Sequence, residues 1–166
     1  MSAGLDQDAL EVEGRELGAV LLERGWRMAT AESCTGGWIA QCVTATAGSS
    51  DWFECGLVTY SNAAKVSLLG VEAMTLERHG AVSVETARQM AEGALRASGA
   101  EVAVAVTGVA GPGGGAPDKP VGTVCFGFAV GGRATQTERH VFAGDRREVR
   151  ARTVARALTR LRELIA

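Results

Sequence analysis

Residues 101–107 read Glu-Val-Ala-Val-Ala-Val-Thr, an unbroken apolar run closed by a threonine. The run lacks the polar alternation of a half-exposed strand, so it reads as a strand buried on both faces. Such a strand belongs in a sheet with helices above and below it. Immediately upstream, residues 83–98 begin with Ser83 as N-cap and Thr86 in the capping-box position. Glu85 puts a negative charge on the first turn, and Gly99 closes the helix. Downstream, residues 122–130 and 133–142 read as two strands of a hairpin across Gly131-Gly132.

The same alternation extends to both ends. Leu10, Leu17, Val20 and Leu21 share a helical face that Gly25 terminates, and residues 26–31 form a short strand. Residues 37–46 return to helix, 47–51 are turn chemistry, 53–60 are a strand, and 62–69 are a short helix stopped by Gly70. Asp145 caps a last helix on which Val149, Val154, Leu158, Leu161 and Ile165 keep helical spacing. Helix–strand alternation followed by a hairpin predicts an α/β fold, a three-layer α/β/α sandwich with a mixed β-sheet.

Bulk properties narrow the function. A chain of 166 residues fits one domain, 1–166, large enough to bury a core without staples. Its 17 basic and 19 acidic residues leave a net charge of −2, which argues against a sequence-independent grip on nucleic acid. The basic run at 146–162 reads as a solvated helix face. The four cysteines, Cys34, Cys42, Cys55 and Cys125, form no Cys-x-x-Cys pair, and His79 and His140 are the only imidazoles, so no metal site is expected. Residues 1–16 are polar and acidic rather than signal-like, and no apolar run reaches the roughly 20 residues of a membrane span. A cytoplasm that keeps thiols reduced is the expected location.

Four segments carry chemistry. In Thr30-Ala31-Glu32-Ser33-Cys34-Thr35-Gly36-Gly37, a strand-to-helix turn presents hydroxyl and thiol groups beside outward backbone amides. Such a turn can hold a tetrahedral oxyanion next to a nucleophile, or it can be a Ser/Thr-rich cap with glycines for packing. Ser33 and Cys34 both remain open as the nucleophile. Thr59-Tyr60-Ser61-Asn62-Ala63-Ala64-Lys65 runs from a strand end into a helix, where a partly buried Lys65 of lowered pKa can take a proton and Tyr60 can relay one. The loop from Thr107 and Gly108 through Gly111 and Gly113 to Pro120 offers backbone amides to a phosphate or carboxylate. Pro117 and Pro120 stand where a dinucleotide fingerprint would start its helix, so that match is rejected. Lastly, Arg146 or Arg147 can fork onto an anion.

The segments AESCTGG (31–37), GSS (48–50), VTYSNAAK (58–65), LGV (69–71), GAVS (80–83) and TGVAGPGGGAPDKPVGT (107–123) together resemble, in order, the C-terminal domain of the CinA competence/damage-inducible family. The resemblance spans roughly residues 10 to 163. It implies an α/β/α sandwich that forms homodimers and removes ammonia from nicotinamide mononucleotide, giving nicotinate mononucleotide for NAD recycling without metal or organic cofactor. Carried over by motif, Ser33 is the nucleophile and Tyr60 and Lys65 activate it. Cys34, Thr35, Gly36 and Gly37 border the oxyanion. Thr107 with Gly108, Gly111 and Gly113 lines the site, and Arg146 contacts the phosphate. Ala47, Cys55 and Ala116 depart from the family pattern, the last removing a hydroxyl from the binding loop. A domain that binds nucleotide without catalysis, linked to competence or DNA damage, is the competing reading.

Overall fold

The computed structural model describes residues 5–166, and Met1–Gly4 of the polar N-terminal stretch lie outside the described residues. The elements run α1 (Gln7–Arg24), β1 (Met28–Glu32), α2 (Trp38–Thr44), a short 3-10 turn (Ser49–Asp51), β2 (Phe53–Val58), α3 (Asn62–Leu69), α4 (Ala73–His79), α5 (Val84–Ser98), β3 (Val102–Gly108), β4 (Thr123–Val130), β5 (Gln136–Val141) and α6 (Arg146–Ile165). The sheet order is β2-β1-β3-β4-β5. β1 pairs in parallel with both β2 and β3, while β3–β4 and β4–β5 are antiparallel, which makes the sheet mixed as expected.

The Val/Ala alternation of β3 sorts the two layers. Val102, Val104 and Val106 join Met28, Phe126 and Phe128 under α1, α2 and α6. Ala103 and Ala105 join Ala29, Ala31 and Ala129 under α5, with Leu69 and Val71 from the α3 end. Small side chains on that face let α5 sit close to the sheet. At Gly127 an added Cβ would stand 2.3 Å from the Ala87 carbonyl oxygen, so glycine is required there by the approach of α5. Burial on both faces is complete for β4 and for β3 as far as Thr107, whereas β2 and β5 at the edges are half exposed.

The helix ends follow their sequence signals. Asp6 caps α1, accepting from the Ala9 amide, and Gly25 closes it at φ 65. Ser83 caps α5 as expected. Asp145 goes further than a simple cap, because it forms a full capping box with Glu148.

Several boundaries differ from the sequence reading. The first strand starts at Met28 rather than 26, and the second ends at Val58, because Thr59 and Tyr60 lead into Ser61, the N-cap of α3. The hairpin turn is wider than Gly131-Gly132. The last β4–β5 pair is Phe128↔Gln136, and Ala129 and Val130 pair with β3 alone. Helix α4 carries no strong periodicity and is absent from the sequence reading. The arginines of α6 are less solvated than a free face would be: Glu138 on β5 receives Arg156 at 2.8 Å and Arg160 at 2.9 Å, and Arg162 pairs with Glu13 and Glu16 on α1. No helix among the described residues is long and apolar enough to cross a membrane.

Candidate active site

Register brings three strand ends into one row. Glu32, the last residue of β1, stands opposite Val58 of β2 and Val106 of β3. The residues that follow therefore emerge together: Ser33 after β1, Thr59 and Tyr60 after β2, and Thr107 at the end of β3. Backbone bonds hold them there, with Ser33 N–H donating to Val106 O (3.1 Å) and Thr59 N–H to Glu32 O (2.8 Å). This is the carboxyl edge of the parallel part of the sheet, where open α/β folds place ligands.

A cavity of about 210 Å³ opens at this edge, lined by Ser33, Cys34, Tyr60, Lys65, Thr107, Gly108 and Arg146 among others. Lys65, on the first turn of α3, is only 1% exposed. Its Nζ lies 3.1 Å from Ser33 Oγ and donates to the carbonyls of Thr59 (2.8 Å) and Tyr60 (3.4 Å). Among the described residues it has no carboxylate partner. Burial pushes its pKa below the ordinary lysine value, against a smaller opposing effect of the neighbouring Cys34. The contact with Tyr60 is through that residue's main chain. The Tyr60 side chain is 62% exposed, and its hydroxyl accepts from Arg146 Nη2 at 3.2 Å.

Cys34 is buried beside Ser33, and burial drives its thiol pKa up to about 12. A thiol in that state is a poor nucleophile at neutral pH. Ser33 Oγ, by contrast, lies within hydrogen-bond reach of Lys65 Nζ.

Arg146 sits at the start of α6, with Nη1 donating to Gly111 O (2.8 Å) and Nη2 to the Tyr60 hydroxyl. Arg147 does not line this cavity: its guanidinium lies 5.8 Å from the Trp38 ring, and it borders two neighbouring recesses, one of them shared with Arg146. Thr107 borders the cavity, but its hydroxyl donates to Ala81 O (2.8 Å), tying β3 to the segment between α4 and α5. Thr35, Gly36 and Gly37 line the Trp38–Arg147 recess instead of the cavity. Gly111 enters only through its carbonyl to Arg146, and Gly113 meets nothing within 4 Å of a built Cβ. The glycine-rich loop is tied down by Lys119 Nζ to His79 O (2.5 Å) and by the paired Ala116 and Lys119 main chains, so Ala116 serves a turn outside the cavity.

Two residues that sequence reasoning does not single out hold the β1–α2 turn that carries Ser33 and Cys34. Glu32 is fully buried, and its carboxyl accepts from Thr35 Oγ1 (2.7 Å), Ile39 N (2.8 Å), Ala40 N (3.0 Å) and Thr30 Oγ1 (3.3 Å). It thereby caps α2, whose own N-cap Gly37 has no side chain to do so. In the sequence it stands at a strand end and looks like any other acidic residue. Arg150 donates from Nε to Cys34 O (3.0 Å) and from Nη2 to Thr35 O (3.1 Å). Nothing local in the sequence announces it.

The family model of the CinA C-terminal domain matches residues 11–165, and the chain belongs to that family. A relative from Enterobacter agglomerans, named nicotinamide-nucleotide amidohydrolase PncC, is 54% identical over 151 residues, covering 90% of this chain and 92% of its own. A putative competence-damage inducible protein of Symbiobacterium thermophilum is 51% identical over 98% of this chain, which spans 39% of that longer protein. Among solved structures, the competence/damage inducible protein CihA from Agrobacterium tumefaciens superposes with a TM-score of 0.92 at 44% identity, covering 99% of both chains.

Proposed function

We propose that the chain hydrolyses nicotinamide mononucleotide to nicotinate mononucleotide and ammonia, with Ser33 as nucleophile and Lys65 as its base. The observation that carries the reading is the buried, carboxylate-free Lys65 with Nζ 3.1 Å from Ser33 Oγ. The amidohydrolase name borne by a relative at 54% identity over 90% of the chain supports the substrate.

A neutral amine has two N–H donors and one lone pair. The carbonyls of Thr59 and Tyr60 take the two donors, which turns the lone pair toward the Ser33 hydroxyl. Ser33 Oγ then attacks the carboxamide carbon while Lys65 takes its proton, and negative charge moves to the amide oxygen. Protonated Lys65 gives that proton to the leaving nitrogen, and ammonia departs from an acyl-enzyme. Water attacks the ester, Lys65 takes one of its protons and returns it to the departing Ser33 oxygen, and the nicotinic acid formed gives its carboxyl proton to solvent as it leaves as the carboxylate. Tyr60 and Arg146 border the cavity, and in this reading the guanidinium takes the nucleotide phosphate while the phenol hydroxyl that accepts from it relays protons. The reaction as written needs no metal or organic cofactor. A role in NAD recycling within the cytoplasm, as a homodimer, belongs to the same reading.

The test is ammonia release from nicotinamide mononucleotide by wild type, Ser33→Ala and Cys34→Ala. Release by wild type and Cys34→Ala but not by Ser33→Ala is expected. A folded wild type that binds the nucleotide and releases nothing would make the chain a silent nucleotide-binding domain. Loss in Cys34→Ala with retention in Ser33→Ala would move the chemistry to the thiol.

A further inference from the structure

The turn between β1 and α2 contains Gly36 at φ 60 and Gly37 at φ 102, so its own backbone allows several peptide orientations. Two side chains from outside fix it. Glu32 gathers the Thr35 hydroxyl and the first amides of α2 on one side. On the other, Arg150 reaches from α6 across 116 residues of sequence to the Cys34 carbonyl and takes the Thr35 carbonyl with the same guanidinium.

The consequence follows from peptide geometry. In a planar trans peptide the C=O and N–H point in opposite directions. With Cys34 O turned toward Arg150, the Thr35 N–H is turned away from α6. With Thr35 O turned toward Arg150, the Gly36 N–H is likewise directed away, and it donates to Ser33 O at 3.0 Å. The Thr35 N–H has no acceptor among the described residues. Thr35 itself lies outside the cavity, but Cys34, whose carbonyl the same guanidinium holds, lines it beside Ser33. Arg150 itself is held firmly: its neighbours Val149, Ala151, Thr153 and Val154 are buried under the sheet, and its guanidinium lies 5.4 Å from the Trp38 ring.

We infer that Arg150 is a positioning residue for the hydrolysis proposed above, its fork fixing the Cys34–Thr35 turn that follows Ser33 and so keeping Ser33 Oγ aimed at Lys65 in the cavity. The inference rests on that reading of the site. Removing the fork frees the turn that aims Ser33, and a misplacement of the nucleophile by about 1 Å costs about 10²-fold in turnover. Substrate binding, which precedes charge development, changes little.

The experiment measures kcat and KM for nicotinamide mononucleotide, with thermal unfolding, in wild type, Arg150→Met, Arg150→Lys and Arg150→Ala. Arg150→Met keeps the stem over Trp38 and is expected to lose about 10²-fold in kcat, with KM within about twofold. Arg150→Lys keeps the charge without the fork and falls between Met and wild type. Guanidinium ion added to Arg150→Ala restores at least about tenfold of the loss, which purely structural damage would not allow. Should Arg150→Met fail to fold, the lysine variant and the guanidinium rescue decide. A folded Met or Lys variant with wild-type kcat, a change confined to KM, or no rescue would overturn the inference while leaving the hydrolysis reading standing. A wild type that releases no ammonia would instead bring down the hydrolysis reading, and this inference with it.

Discussion

Replacing Glu32 with glutamine is nearly isosteric and tests how the nucleophile turn is held. The carboxyl faces four donors: Thr35 Oγ1 and Ile39 N at one oxygen, Ala40 N and Thr30 Oγ1 at the other. The two threonine hydroxyls can rotate and accept from an amide NH₂. The two backbone amides cannot, because each is fixed as a donor. Whichever way the glutamine amide of Glu32→Gln is flipped, its NH₂ meets either the Ile39 or the Ala40 N–H. One buried amide is left unsatisfied at about 1–3 kcal/mol, and the remaining bonds lose the strength of a charged acceptor. The sum is about 2–4 kcal/mol. At this chain length each kcal/mol lowers the melting temperature by roughly 2–4 °C, so Glu32→Gln should melt about 5–15 °C below wild type. Differential scanning calorimetry at neutral pH measures it, with ammonia release assayed at a temperature where the variant is still folded. Turnover should fall as well, because α2 and the turn that carries Ser33 share this anchor. A melting temperature within about 1 °C of wild type would refute the claim that Glu32 is the buried cap of α2.

The pH dependence should report Lys65. Since the base must be neutral and burial lowers its pKa, kcat/KM should rise with pH through an inflection below the ordinary lysine value of about 10.4, with Lys65→Met abolishing both the activity and the inflection. An inflection at or above that value would contradict the neutral-lysine step. Away from the site, Glu138 is pulled down to about 2: burial alone would raise it, but hydrogen bonds from Arg156 and His140 win. A carboxyl whose folded pKa lies below its unfolded value contributes stability above the unfolded value, and loses it as pH falls through the folded one. Wild type should therefore lose stability between about pH 4.5 and 2, and Glu138→Gln, about 2 kcal/mol less stable at pH 7, should show a flatter acid limb in urea melts. An unchanged acid limb would show that the Arg156 fork contributes nothing net.

The fold is legible in the sequence because apolar patterning decides it. The run at 102–106 declares a strand buried on both faces, and its Val/Ala alternation already encodes a thick and a thin helical layer. Cap residues Asp145 and Ser83 and stop residues Gly25, Gly70 and Gly99 mark helix ends correctly. Helix α4 escapes because seven residues with one buried position, Thr75, leave no periodic trace. The hairpin turn reads too tight because Gly-Gly satisfies a two-residue turn, while the edge strand β5 stops pairing at Gln136. At the site, Ser33, Tyr60, Lys65 and Arg146 are readable as residue types at strand and helix ends, and they line one cavity. Glu32 and Arg150 are not. A buried carboxyl serving as a cap looks like any acidic residue, and an arginine 116 positions away from the carbonyl it holds has no local signature at all. Thr107 lines the cavity, yet its hydroxyl is committed to Ala81, a detail that only tertiary contacts disclose.

The most direct measurement of the serine mechanism is rapid acid quench of the enzyme with excess nicotinamide mononucleotide, followed by intact-mass and peptide mass spectrometry. A nicotinate-mononucleotide ester should accumulate on the peptide carrying Ser33, in wild type and Cys34→Ala, before steady-state ammonia release. An adduct that maps to Cys34, or steady ammonia release with no ester on Ser33 at any quench time, would contradict it.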